Sequence, residues 1–311
     1  MISSCVKEEL IAMEIIQFEL GEKLNPVPNL ILCLGFFDGV HLGHQSLIKK
    51  AKKEGYKLGV LSFNQSPAYV LGHKLVDNCI TSISDKADLF EDMGVDYFYL
   101  MDFNRSVMNA TKDEFINKVL LAINPFQICC GPDYRYGVRA EGDVAYLKRF
   151  FNVKVNNFEN IKDKKISSRQ IMALIREGEM EEVTTMLGRP YRVNGTVMDG
   201  FHNGRKLDYP TANLKLEYEY VFPKTGVYIG YGYVYGKKYK AIINVGIHPT
   251  IDPLGSPVIE VHLLDFDGNL YGKNIFAEFI KFIREEKKFD SVDDLKAQLN
   301  RDKQKAKKLL Q

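Results

Sequence analysis

The chain has 311 residues, enough for about two domains that each bury their own core. Its 42 Lys and Arg against 40 Asp and Glu leave a formal charge of +2, without the one-signed field of a dedicated nucleic-acid or membrane-surface protein. A hydrophobic fraction of 45% with 26% charged residues is that of a soluble globular protein, and no apolar run approaches the roughly 18 residues that a bilayer-spanning helix needs.

Met1 to Ile16 carries Lys7, Glu8, Glu9 and Glu14 among its apolar positions, which is not the pattern of a secretory signal and predicts a cytosolic protein. The five cysteines, Cys5, Cys33, Cys79, Cys129 and Cys130, contain no C-x-x-C pair, so the expectation is reduced packing residues rather than a disulfide framework or a zinc site. Leu30 to Gly35 reads as a buried strand, His44 to Glu54 as a helix, Tyr56 to Phe63 as a second strand and Asp96 to Leu100 as a third. Thr111 and Glu114 have capping-box spacing ahead of the helical pattern Phe115, Val119, Leu120, and Gln127 to Cys130 reads as another short buried strand. Such alternation predicts a parallel sheet with crossover helices, its ligand at the carboxyl ends of the strands. Helical segments follow over Ile171 to Leu187. Beyond Leu187 the runs Tyr191 to Met198, Gly226 to Val234, Lys238 to Val245 and Val258 to Leu264 are β-rich and separated by turn residues, predicting a small antiparallel barrel. Ser291 and Asp294 then open a last helix, with Val292, Leu295, Leu299 and Ala306 on one face, that should pack on the barrel. The predicted domains are therefore 1–187 and 188–311.

Two constellations carry chemistry. Gly35-Phe36-Phe37-Asp38-Gly39-Val40-His41-Leu42-Gly43-His44 links a buried strand to a helix, where glycines permit close backbone approach and the helix N-terminus favours an anion. Two imidazoles on that loop can donate hydrogen bonds to a nucleotide phosphate and stabilise charge developing on it. The structural alternative is that one His caps the helix and the other packs. In the second half, Thr211 and Asn213 alternate onto one face of an extended segment, where both offer oxygen to a hard cation such as Mg²⁺ bridging ATP phosphates. Gly204, Arg205 and Lys206 suit a loop covering phosphates, or a solvated hairpin. No G-x-x-x-x-G-K-[ST] occurs, so any kinase here is not of the P-loop type.

The first constellation resembles the signature of the nucleotidyltransferase superfamily, specifically that of the bacterial bifunctional riboflavin kinase/FMN adenylyltransferases. Gly131-Pro132-Asp133-Tyr134-Arg135-Tyr136-Gly137 resembles that family's flavin-side G-x-D-F-x-F-G element, with Tyr in place of Phe twice, and Ile166-Ser167-Ser168 resembles its second nucleotide motif. Pro210-Thr211-Ala212-Asn213, Asn244-Val245-Gly246-Ile247-His248-Pro249-Thr250, Ile259-Glu260-Val261-His262, Leu270-Tyr271-Gly272-Lys273 and Phe282-Ile283-Arg284-Glu285-Glu286 resemble the riboflavin kinase signature in order. The resemblance implies a Rossmann-like α/β nucleotidyltransferase domain followed by a β-barrel riboflavin kinase domain. Riboflavin would become FMN and FMN would become FAD, with ATP as co-substrate of both steps and Mg²⁺ as the cation. It implies Glu260 as the base on the ribityl 5′ hydroxyl, Thr211 and Asn213 as Mg²⁺-ATP ligands, and Arg284 beside the flavin. Asp133, Tyr134 and Tyr136 are implied on the flavin, and His41, His44, Gly35, Phe37, Asp38, Gly43, Ser167, Ser168 and Gly204 around the nucleotides. Arg169 and Met172 replace the Thr and Arg of the family's second motif, so the alternative expectation is a kinase with a weak N-terminal half. Neither nucleic acid nor a membrane is an expected partner.

Overall fold

The computed structural model describes residues 12–72, 78–157, 160–161, 164–198, 211–247 and 257–310. Gly204, Arg205, Lys206, Pro210 and His248 to Thr250 lie outside the described residues. The chain divides into two compact units, one formed by residues up to 77 with 83–165, the other by 78–82 with the chain from 166 onward.

In the first unit the elements run β1 (Glu14–Phe18), β2 (Leu30–Leu34), α1 (Leu42–Ala51), β3 (Lys57–Phe63), α2 (Pro67–Val70), α3 (Ile83–Asp92) and β4 (Tyr97–Met101). They continue with α4 (Arg105–Asn109), α5 (Lys112–Phe115), a π-type turn over Ile116–Leu120, α6 (Leu121–Ile123), β5 (Gln127–Cys130) and β6 (Arg135–Tyr136). Last come β7 (Gly142–Asp143), α7 (Val144–Leu147), β8 (Val153–Val155) and a short ribbon of β9 (Asn160–Ile161) and β10 (Lys164–Lys165). Six strands form one parallel sheet in the order β1-β4-β3-β2-β5-β8. Strand β2, Leu-Ile-Leu-Cys-Leu, is buried at every position because helices cover both faces, as in most parallel sheets. Its residues alternate between two cores: Leu30, Leu32 and Leu34 join Tyr99 and Phe115, whereas Ile31 and Cys33 join Phe37, Phe90 and Phe98. The predicted capping box is present, with Glu114 N–H donating to Thr111 Oγ1 and the Glu114 carboxylate accepting from Thr111 N–H.

The second unit begins with α8 (Ser168–Glu177) and α9 (Met180–Leu187) and continues through β11 (Tyr191–Met198), β12 (Ala212–Leu216), β13 (Gly226–Val234), β14 (Lys237–Ile247), β15 (Pro257–Leu263) and β16 (Asn274–Arg284) to α10 (Val292–Leu309). The six strands close a barrel in the order β11-β12-β15-β14-β13-β16, leaving no unpaired sheet edge. Tyr228 and Phe279 meet edge to face with centroids 5.2 Å apart. As expected, α10 packs on the barrel: Ala306 and Leu310 lie against Val227, Ile229 and Ile242. Ser291 caps it, accepting from Asp294 N–H. The four cysteines in the described residues are free and buried.

Candidate active sites

The first site stands at the carboxyl end of β2. Phe37 takes a left-handed backbone (φ 55°, ψ 30°), and Gly39 and Val40 follow with positive φ, so the chain coils tightly before α1 begins. Helix α1 starts at Leu42 rather than at the expected His44, because the His41 imidazole is its cap: Nδ1 accepts from His44 N–H at 3.3 Å. The two imidazoles stack, with centroids 3.6 Å apart and planes 15° from parallel. A Cβ on residue 43 would lie 3.1 Å from the His41 ring, so Gly43 leaves that ring its place over the helix start. Phe37 is buried beneath, edge-on to His44 at 5.1 Å and to Phe90 at 5.7 Å, its ring covering Gly35. Asp38 is buried in the same turn. Burial, the neighbouring His41 and Lys86 hold the His44 pKa well below the usual histidine value, so its imidazole is neutral at pH 7. Its Nδ1 is buried and has no hydrogen-bond partner among the described residues.

Two residues that no motif marked support this loop. Ser62 Oγ and Lys86 Nζ both donate to the Phe36 carbonyl, at 2.8 and 3.0 Å, and the Lys86 ammonium lies 3.8 Å over the Phe36 ring. Both side chains are buried. A buried lysine is costly unless something stabilises its charge, and here the carbonyl and the aromatic face of Phe36 do so.

Farther along the same sheet end, Tyr134 and Tyr136 stack with centroids 6.0 Å apart and line a cavity of about 590 Å³. Phe63, Phe103, Val107 and Phe115 form its apolar wall. The Tyr136 ring lies flat on Gly142, and its hydroxyl is buried with no partner among the described residues. Burial raises the pKa of both phenols, so both stay protonated. Asp133 is exposed on the preceding turn. Ser167 and Ser168 belong to the other unit, where Ser167 caps α8 by accepting from Gln170 N–H. On that helix Met172 is buried and Arg169 exposed.

The second site is a lateral row on the barrel. Asn213 on β12 pairs in register with Glu260 on β15, and Glu260 pairs with Asn244 on β14. Cross-strand partners share a face with Cβ atoms about 5 Å apart, so the three polar side chains form one line. Glu260 is half-buried rather than solvated. The Asn213 Oδ1 atom is buried and has no donor among the described residues. Thr211, two residues earlier, is exposed. The Glu286 carboxylate lies over Gly246, where a Cβ would come 2.3 Å from its Oε1, and accepts from Asn244 Nδ2 at 3.4 Å. Asn244 stood in the sequence only as part of a motif; its place beside Glu260 follows from strand pairing. Arg284 continues the row, because β13 pairs Val227 with both Asn244 and Arg284. Its guanidinium grips the buried Asp302 of α10 through Nε and Nη2, at 3.0 and 2.8 Å.

A glycine-rich turn with two stacked imidazoles at the carboxyl end of a parallel strand, and a barrel bearing a carboxylate between amides, mark a two-site flavin-nucleotide transferase: an α/β nucleotidyltransferase unit and a flavokinase barrel. The family model described as FAD synthetase matches residues 25–171 and that described as Riboflavin kinase matches 187–310. Bifunctional riboflavin kinase/FMN adenylyltransferases from Listeria monocytogenes and Escherichia coli K12 are 35% and 30% identical over 285 and 291 residues, in each case 89% of this chain and 91% of the relative. The chain belongs to the bifunctional riboflavin kinase/FMN adenylyltransferase family. A crystal structure described as a macrolide-efflux protein from Streptococcus pneumoniae shares the fold at a TM-score of 0.86 and 31% identity, covering 95% of this chain and 99% of that one. No helix among the described residues is long and apolar enough to cross a membrane.

Proposed function

We propose that the chain performs both reactions of its family, adenylylation of FMN with residues 1–187 and phosphorylation of riboflavin with residues 188–311. The observation that carries the kinase half is the row Asn213, Glu260, Asn244 with its buried, unpartnered amide oxygen. In this reading Glu260 accepts the proton of the ribityl 5′ hydroxyl as that oxygen attacks the terminal phosphorus of ATP and ADP leaves. A buried acceptor with no donor fits a cation, and among the described residues no cluster of His, Cys, Asp and Glu offers another place for one. Asn213 and Thr211 would hold Mg²⁺, which when bound neutralises phosphate charge. Asn213 and Asn244 flank the carboxylate, Asn244 and Arg284 orient the flavin end of the substrate, and Gly204 serves the ATP phosphates.

For the second reaction, an oxygen of the FMN phosphate attacks the α-phosphorus of ATP and pyrophosphate leaves. His41, His44 and the first N–H groups of α1 receive the charge on the α-phosphate, with the turn at Gly35, Phe37, Asp38 and Gly43 holding them in place. A neutral His44 keeps one ring N–H to donate to that phosphate. The isoalloxazine ring occupies the cavity beside Tyr134 and Tyr136, with Asp133 at its edge, and Ser167 and Ser168 serve the nucleotide. Riboflavin, FMN and ATP are the small-molecule partners, and the ATP-rich cytosol is the compartment we propose.

The test is product analysis with Glu260→Gln. Riboflavin phosphorylation should fall by about 100-fold or more, while FAD and pyrophosphate still form from supplied FMN and ATP. Phosphorylation retained at more than about a tenth of the wild-type rate would remove Glu260 from the role of base. Absence of FAD from the wild-type protein, under conditions where riboflavin is phosphorylated, would end the adenylylation half.

A further inference from the structure

Helix α3 places a buried ammonium directly against the turn between β2 and α1. Lys86 is 2% exposed, and its Nζ donates to the Phe36 carbonyl at 3.0 Å while lying 3.8 Å over the Phe36 ring. Four residues on, Phe90 is buried and meets the Phe37 ring edge-on, with centroids 5.7 Å apart. Residues four apart share a helix face, so one face of α3 holds two consecutive residues of that turn.

The need to satisfy an oxygen does not explain a cation here. The Phe36 carbonyl already accepts from Ser62 Oγ at 2.8 Å, and an apolar side chain of similar length would fill the same space without taking a charge out of water. What the ammonium adds is a directional hold on the peptide that leads into Phe37, whose left-handed backbone (φ 55°) is disfavoured for a residue with a side chain. From Phe37 two contacts lead on to the imidazoles. Its carbonyl accepts from Val40 N–H at 3.0 Å, next to His41, and its ring packs edge-on against His44 at 5.1 Å. A displacement at Phe36 therefore reaches both rings of the stacked pair. The ammonium also bears on His44 through space: after burial and His41, it is the third cause that lowers the pKa of that imidazole.

We propose that Lys86 is a positioning residue of FMN adenylylation: from α3 it fixes the Phe36–Phe37 peptide, and through Phe37 it sets His41 and His44 for the charge that develops on the α-phosphate. This rests on the reading of the turn as the adenylylation site. Lys86 itself touches no substrate. Because the imidazoles act on charge that appears only in the transition state, loss of Lys86 lowers kcat rather than weakening substrate binding. For the same reason the loss matters only while His44 is present.

The experiment follows FAD and pyrophosphate formation by the full chain from FMN, ATP and Mg²⁺, with riboflavin phosphorylation by the same sample as the control. Lys86→Met should lower kcat for adenylylation about 30-fold or more, with KM for FMN and for ATP within about threefold of wild type and phosphorylation unchanged. Lys86→Arg, which keeps a charge and a donor, should recover most of the lost kcat. The discriminating readout is a double-mutant cycle: in a His44→Gln background, Lys86→Met should cost less than about threefold, because nothing is left for the ammonium to position. Equal fold-losses in the two backgrounds would overturn the proposal and make Lys86 a structural support that acts apart from the imidazole. A Lys86→Met variant with wild-type kcat would overturn it as well. If Lys86→Met loses the cooperative unfolding transition of the first unit, Phe36→Leu replaces it in the cycle. That variant removes the aromatic face beneath the ammonium and should lower kcat about threefold to tenfold with His44 present and hardly at all without it, equal losses again overturning the proposal. A silent His44→Gln would instead end the reading of the turn as the adenylylation site, and the proposal with it.

Discussion

His44 shows how one residue couples stability to chemistry. Because its folded-state pKa lies well below the ordinary histidine value of about 6.5, the unfolded chain takes up a proton there first as pH falls. The stability of the first unit is therefore fully present above pH ~6.5 and declines below it, until the folded-state pKa is reached. Urea midpoints from pH 8 to pH 5 should fall on the acid side, and His44→Gln should flatten that fall; an unchanged slope in the variant would show that other groups cause it. Asn213 poses the complementary case, a buried oxygen with nothing to accept among the described residues. Asn213→Leu removes that unsatisfied group, worth about 1 to 3 kcal/mol, so the ligand-free protein should melt at a higher temperature. Riboflavin phosphorylation should at the same time require at least about tenfold more Mg²⁺. A lower melting temperature would show that the amide makes a structural contribution. His41, His44 and Asn213 were legible in the sequence, because each sits in a short motif whose local backbone geometry implies its use. Lys86 and Ser62 were not. Nothing in a helix or strand pattern says that both side chains will meet the carbonyl of Phe36, 50 and 26 positions earlier in the chain.

Among the elements, those with local signals were readable: the capping box of α5, the Ser291 cap of α10 and the alternating strands of the barrel. Glu114 in that capping box is held at a pKa of about 2, first by its bond from Lys118 and then by the Thr111 N–H. Strand β16 was not among the expected elements, although it pairs with both β11 and β13 and closes the barrel. Its sequence, Asn-Ile-Phe-Ala-Glu-Phe-Ile-Lys-Phe-Ile-Arg, is apolar on both faces over much of its length, since one face lines the barrel and Ile280 and Ile283 pack near α10. The tie between β16 and α10 is the Arg284–Asp302 pair, reinforced by Gln298 Nε2 donating to Asp302 Oδ1 at 2.9 Å. Asp302→Asn keeps the shape but removes the charge, and should cost the barrel about 2 kcal/mol, read as a lower denaturation midpoint. It should also raise the KM for riboflavin, because Arg284 loses its anchor. A variant with normal stability and normal KM would show that the pair orients nothing.

For the whole molecule, the two units have separate cores, one on either face of the parallel sheet and one under α10. Domains with their own cores unfold as cooperative units, so calorimetry of the intact chain should resolve two transitions. Gly230 offers a way to assign them: a Cβ there would come 1.8 Å from the backbone oxygen of Glu278, beside the irregular pairing of β13 with β16. Gly230→Ala should lower the barrel transition, by an overpacking cost of about 3 kcal/mol, and leave the other in place. A single transition that moves as a whole would show the units to be one cooperative body. Composition and patterning determined the number of units, their α/β and β-barrel classes and the family motifs, because periods of 3.6 and 2 and cap spacings are properties of neighbouring residues. Within those motifs even the stacking of His41 on His44 over one helical turn is a local matter. Only the tertiary structure decided that residues 213, 260 and 244 form one row, that Lys86 lies beneath the turn at Phe36, and that Tyr134 and Tyr136 line one cavity with Phe63 and Phe103. Those are outcomes of strand register and burial between distant segments, and backbone pairing and packing of the whole unit settle them rather than any local stretch of chain.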